Sequence, residues 1–189
     1  MRPELSGQQK KKFEIKDFLL PVGGLLIGVL LGYLIISGNA VNQGQTAPGP
    51  PEIGQLASDF ELNTLDGTTM RLSQFQGQAV IVNFWGTWCP PCVQEMPLLE
   101  AVYSREQPEL IILGVNEQDS LADARQFVAD FNIRFPILVD KDGLVAEQYI
   151  VRGFPTTFFI DAEGVLQAQH IGGLDEELLS GYLLEIGIE

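Results

Sequence analysis

Residues 79–92 read AVIVNFWGTWCPPC, and the fold follows from how that run changes character partway along. Ala79–Trp85 is apolar except for Asn83, the pattern of a central strand buried on both faces. From residue 91 to 107 apolar side chains recur at helical spacing instead, with Cys92, Met96, Leu99, Val102 and Tyr103 on one stripe and Pro97 predicting a kink. Cys89 and Cys92, the only two cysteines of the chain, therefore stand where a buried strand passes into a helix.

Moving outward, strand-like and helix-like pieces alternate. Residues 60–63 and 69–72 flank Asp66 and Gly67, a dipeptide that favours a hairpin turn. LIILGV at 110–115 is a second buried strand and 137–139 a third. Between them 122–132 is helical, with Ala124, Phe127, Val128 and Phe131 at helix spacing. Residues 156–160 and 165–171 pair around a turn at 161–164, and 175–186 closes the sequence as an amphipathic helix. A hairpin, then βαβαβ, then a hairpin and helix specify an α/β fold: a central mixed sheet flanked by helices on both faces. Residues 52–189 supply that domain.

Upstream the composition changes. Residues 18–36, FLLPVGGLLIGVLLGYLII, hold 19 positions without a charge, close to the roughly 20 that a helix needs to cross a bilayer. Residues 1–17 carry five basic and three acidic side chains, whereas the rest of the chain carries six against 22, a net −16 within a total of −14. The positive-inside rule then leaves residues 1–17 in the cytoplasm and puts 52–189 outside it, at the cell membrane. Gly38 and Ala40 resemble a cleavage site, but a signal core is usually about 7–15 residues, so the span reads as a single-pass, uncleaved anchor. Residues 37–51, SGNAVNQGQTAPGPP, form an extended Pro/Gly-rich linker. So acidic a body is unsuited to coating nucleic acid. Two cysteines exclude a disulfide-stapled scaffold and a four-cysteine zinc centre.

A C-x-x-C pair at the end of a strand within a βαβ pattern reads as a redox dithiol. The helix N-terminus favours a thiolate there through its unpaired N–H groups and positive dipole end. Cys89 is expected to be the exposed attacking thiol and Cys92 the buried resolving one, with exchange running through a mixed disulfide. A structural disulfide over so short a loop would constrain little of the unfolded chain. A metal site from Cys89, Cys92, Met96 and His170 would need its one histidine from a distant strand. Pro90 and Pro91 remove two N–H donors from beside Cys89, which predicts a weakly acidified thiol and a reducing enzyme.

The chain from residue 60 to 164 resembles the membrane-anchored, extracytoplasmic thioredoxin-like family of thiol-disulfide oxidoreductases that serve cytochrome c maturation. The matching pieces are DFEL from Asp59, LSQFQGQAVIVNFWGTWCPPC, the following EMP, VNE after the second strand, FPILVD and GFPTTFFID, in the family's order. The resemblance implies a thioredoxin-like fold with an added N-terminal β-hairpin. It also implies a reductant acting on disulfides of exported proteins, such as the heme-attachment cysteines of apocytochrome c, and recharged by a membrane thiol reductase. No cofactor is implied beyond the redox-active Cys89–Cys92 disulfide, and no metal.

Residue by residue, Cys89 and Cys92 match the family's redox pair. Pro155 matches the proline that follows a cis peptide and faces the disulfide, which would expose the backbone of Phe154 to substrate. Glu95 matches the active-site glutamate, a candidate to move protons to and from Cys92; a helix-N-terminal acid favoured by the dipole is the plainer account. Asn83 stands where cytosolic thioredoxin has a buried aspartate. Trp88 is expected beside the cysteines as an apolar substrate platform, with Trp85 in the core and His170 on a strand surface.

Other functions fit less well. A peroxiredoxin-like peroxidase wants Pro and Thr or Ser seven and three residues before the cysteine, where Val82 and Gly86 stand. A copper-binding assembly protein of related fold uses a wider cysteine spacing. Net oxidase or isomerase action remains open beside net reduction, since one dithiol can run either way with its partners.

Overall fold

The apolar run at 79–85 is a strand over all seven residues, Ala79–Trp85, each of them buried. In the computed structural model, which describes residues 49–189, this strand is β3. It is preceded by β1 (Glu61–Thr64) and β2 (Thr69–Arg71) and followed by α1 (Pro90–Glu106), β4 (Leu110–Glu117), α2 (Leu121–Asp130) and β5 (Ile137–Asp140). The remaining elements are α3 (Leu144–Gln148), β6 (Thr156–Ile160), β7 (Leu166–Ile171) and α4 (Glu176–Glu185). The expected basic segment, apolar span and all of the linker up to residue 48 lie outside the described residues. Among the described residues no helix is long and apolar enough to cross a membrane.

All seven strands form one sheet in the order β2-β1-β5-β4-β3-β6-β7. β3 is parallel to β4 and β4 to β5, as the two βαβ crossovers require, while β6 and β7 join antiparallel on the other side of β3. The expected hairpin adds to the same sheet, because β1 pairs antiparallel with β5. The sheet is therefore mixed.

Side-chain alternation along β3 divides the interior into two layers. Ala79, Ile81 and Trp85 meet Met96, Leu99 and Val102 of α1, Phe127 of α2 and Leu179 and Leu183 of α4. Val80, Val82 and Phe84 face Val145 and Ala146 of α3, Tyr149, and Leu72. Each fully buried aliphatic or aromatic side chain contributes on the order of 1.5–3 kcal/mol, so this two-sided burial is what holds β3 in place. Tyr149 donates its hydroxyl to Ser58 O, and burial raises its pKa.

Two local expectations need correction, and one element is added. The strand expected over 69–72 stops at Arg71, and Leu72–Phe75 is a 3-10 turn that sends Leu72 into the core. β4 runs on to Glu117, because its last residues keep pairing with β3 and β5. The short helix α3 carries no visible sequence period. It starts at Gly143, whose φ of 69° suits glycine, and the buried Asp140 carboxylate accepts Val145 N at 3.3 Å and Ala146 N at 2.8 Å. α1 runs through Pro97 as one helix.

Candidate active site

The chain leaves β3 at Trp85 and turns at Gly86. There a β-carbon would stand 2.5 Å from Trp88 Nε1, so only glycine lets the indole lie over the backbone. Cys89 N donates to Gly86 O at 3.2 Å and closes the turn. Cys89 is the N-cap of α1, with Pro90 and Pro91 filling the first two helical positions, where a missing N–H costs least. The first amide able to reach the cap is Cys92 N, which donates to Cys89 Sγ at 3.3 Å. The expected removal of donors by the two prolines thus leaves one backbone N–H on that sulfur.

Cys89 and Cys92 are joined as a disulfide across 5.3 Å between Cα atoms. Cys92 is fully buried and Cys89 is 4% exposed. The expected ranking holds, but an exposed Cys89 does not: joined to Cys92, it packs with it in the core layer under α1. Close by, Trp88 is 49% exposed and its ring meets Phe154 edge-on, centroids 5.1 Å apart. Phe154 packs at the margin of both core layers. The Phe154–Pro155 peptide is cis, as the resemblance implies. The next residue, Thr156, pairs with Phe84 near the end of β3, which brings Phe154 and Pro155 beside the loop bearing Trp88 and Cys89.

Below the disulfide, one turn along α1 from Cys92, Glu95 is 2% exposed. Its Oε1 accepts Asn83 Nδ2 at 2.8 Å and its Oε2 accepts Leu174 N at 2.7 Å. Burial pushes its pKa up to about 7, against the opposing pull of these two hydrogen bonds. Asn83 Nδ2 also donates to Thr157 Oγ1 at 2.9 Å, while Asn83 Oδ1 is buried without a partner. The Leu174 donor comes from the loop between β7 and α4, 79 residues away, and a backbone N–H leaves no mark in a sequence.

Two expectations sit elsewhere. Trp85 is fully buried against Phe127, centroids 5.0 Å apart, as core. His170 is half-buried on β7 with Nδ1 3.2 Å from Tyr182 Oη, and does not join the cysteines. Among the described residues no cluster of three or more histidine, cysteine, aspartate or glutamate side chains could hold a metal ion. Sequence reasoning missed Asp119, which binds the loop before Cys89. Standing just ahead of the Ser120 N-cap of α2, it reads from sequence only as an acid at a helix start.

The arrangement suits two-electron exchange: a sulfur pair that opens to two thiols, one at the margin and one buried one turn from a carboxyl able to hold or release a proton near neutrality. Residues 53–169 match the family model described as AhpC/TSA family. A thioredoxin-like protein, YneN, of Bacillus subtilis is 39% identical over 127 residues, covering 66% of this chain and 74% of its own. The thiol-disulfide oxidoreductase ResA of Halalkalibacterium halodurans is 31% identical over 176 residues, covering 93% and 95%. A solved secreted disulfide oxidoreductase of Mycobacterium tuberculosis, homologous to DsbE of E. coli, superposes with a TM-score of 0.61 at 27% identity, covering 66% of this chain and 94% of that one.

Proposed function

The chain belongs to the AhpC/TSA family, among its thioredoxin-like thiol-disulfide oxidoreductases, and from that premise we propose that it reduces disulfides of exported proteins from an anchored position outside the cytoplasm. Attack begins when the Cys89 thiolate displaces one sulfur of a substrate disulfide and forms a mixed disulfide. Cys92 then attacks Cys89 Sγ, giving the Cys89–Cys92 disulfide and a substrate dithiol, so two electrons and two protons pass to the substrate. Glu95, one turn from Cys92 with a pKa of about 7, takes the proton that the resolving thiol must lose. Trp88, Phe154 and Pro155 border the entry to Cys89 and receive the substrate chain.

The observation that carries this reading is the cap geometry. Cys89 Sγ receives one helix-terminal N–H, where two further donors are replaced by Pro90 and Pro91. Fewer donors mean a less stabilised thiolate, and a less stabilised reduced form gives a more reducing dithiol. The order of sequence motifs supports apocytochrome c heme-attachment cysteines as the substrate. The uncharged span at 18–36, with all nearby basic residues before it, supports the anchor and its direction. One dithiol holds two electrons, so a membrane thiol reductase is the natural donor. A peroxidase reading is disfavoured because the positions wanted for Pro and Thr are Val82, buried in β3, and Gly86.

The test is capture with Cys92→Ser in the full chain, expressed where export occurs. A covalent adduct on Cys89, released by reductant and absent when Cys89 is also replaced, is the expected result. Failure to trap any protein overturns exchange. Adducts that never contain apocytochrome c overturn the substrate while leaving the chemistry standing.

A further inference from the structure

The loop from β3 to α1 bears Thr87 and Trp88 ahead of the redox pair, and the loop from β4 to α2 lies against it. One carboxylate joins the two. Asp119 Oδ2 accepts Thr87 N at 2.8 Å and Asn116 Nδ2 at 2.7 Å, and Asp119 Oδ1 accepts Thr87 Oγ1 at 2.6 Å. Both polar groups that Thr87 can donate are thereby held by a single side chain. Asn116, which orients the carboxylate, is 2% exposed and stands in register with Trp85, so the anchor is fixed at the ends of two core strands. Two residues before Asp119, Glu117 O accepts Trp88 Nε1 at 3.3 Å.

Between these acceptors, Gln118 has a φ of 67°, in the left-handed region that non-glycine residues seldom occupy. Such a conformation persists only where its surroundings over-determine it. Here the turn at Gln118 lies between the two groups that bind neighbouring residues of the opposite loop: the Glu117 carbonyl on Trp88 and the Asp119 carboxylate on Thr87.

We propose that Asp119 is a positioning residue for exchange with protein disulfides. It clamps Thr87, keeps Trp88 against Phe154, and so fixes the entry through which a substrate disulfide must line up with Cys89 Sγ. The proposal rests on the thiol-disulfide reading above. A disulfide embedded in a polypeptide reaches a residue as enclosed as Cys89, 4% exposed when joined to Cys92, only along a defined approach. A small free disulfide has many approaches and does not need the loop held.

The experiment compares the full-length protein with Asp119→Ala, Thr87→Val and the double variant, reducing insulin as the protein disulfide and dithiobis(nitrobenzoate) as the small one. Asp119→Ala is expected to raise KM for insulin about tenfold with kcat within twofold, and to leave the small-disulfide rate within twofold. Thr87→Val, which keeps the Thr87 N–H, is expected to give a smaller rise, and the double variant no more than Asp119→Ala alone. Acrylamide quenching reports Trp88, since the other tryptophan, Trp85, is fully buried; it is expected to rise about twofold in Asp119→Ala. An unchanged KM for insulin overturns the clamp. Parallel loss with both disulfides, tracking a fall in Tm, also overturns it and leaves Asp119 as a support for the start of α2. Wild-type protein inert toward both disulfides overturns the exchange reading, and the clamp with it.

Discussion

Glu95 shows how burial turns an ordinary acid into a group that titrates at working pH. Its pKa rises from 4.5 to about 7, and loss of water is the main cause. Between those two values the native protein binds more protons than the unfolded chain. Glu95 therefore favours folding most below pH 4.5, and that contribution is lost as pH rises toward 7, by about 3 kcal/mol in all. In urea titrations, Glu95→Gln is expected to remove this decline and to be the more stable protein above pH 7. The same substitution is expected to remove the step near pH 7 from the alkylation profile of Cys92 in the reduced protein; an unaltered profile would take Glu95 out of proton transfer. At this scale the sequence was readable wherever chemistry is local. Cys89 and Cys92 are three apart, Glu95 lies one turn further, and Pro155 sits in a recognisable motif. Asp119 and the Leu174 amide were not readable, since their hydrogen bonds close over 32 and 79 residues and both donors, Thr87 N and Leu174 N, are backbone.

Elements were legible in proportion to how much apolar surface each must bury. The AVIVNFW run matches β3 end to end because every residue in it has a core partner. α3 escaped notice because five residues make little more than one turn; what holds it is the Asp140 cap, not an amphipathic period. Gly114, in the middle of β4, illustrates a constraint that pattern alone does not reveal. A β-carbon there would lie 2.7 Å from Ile137 Cδ1, 3.0 Å from Phe135 Cε2 and 3.1 Å from Trp85 Nε1. Gly114→Ala is expected to destabilise by about 1–3 kcal/mol, as overpacking of a tight core does. A urea midpoint equal to the parent's would mean that the Ile137 side chain swings aside at no cost.

For the whole molecule, the sheet and not the disulfide carries the stability. Closing a loop with only Pro90 and Pro91 between Cys89 and Cys92 removes little freedom from the unfolded chain, worth about 2 kcal/mol in the chain-entropy account. Reduction is thus expected to shift the urea transition by about that amount and leave a folded protein; a reduced form that melts at room temperature would contradict it. The α/β class, the mixed sheet and the helices on both faces were all implied by the order of apolar runs, whereas the attachment of the hairpin through β1 to β5 was not, since pairing between strands so far apart is a matter of edges. A last feature concerns the other end of the sheet. Residues 54–57 are stitched to the β6–β7 turn by Gly54 N to Leu166 O at 2.7 Å, Leu166 N to Gln55 O at 2.9 Å and Ala57 N to Gly164 O at 2.9 Å. That turn follows Ile160, which pairs with Val80 at the start of β3, while the redox loop leaves from the far end of the same strand, roughly 20 Å away at about 3.3 Å per residue. A resin, bead or electrode coupled ahead of residue 54 would therefore grip the domain by its heel, leaving the redox loop turned away from the support and its reactivity unobstructed.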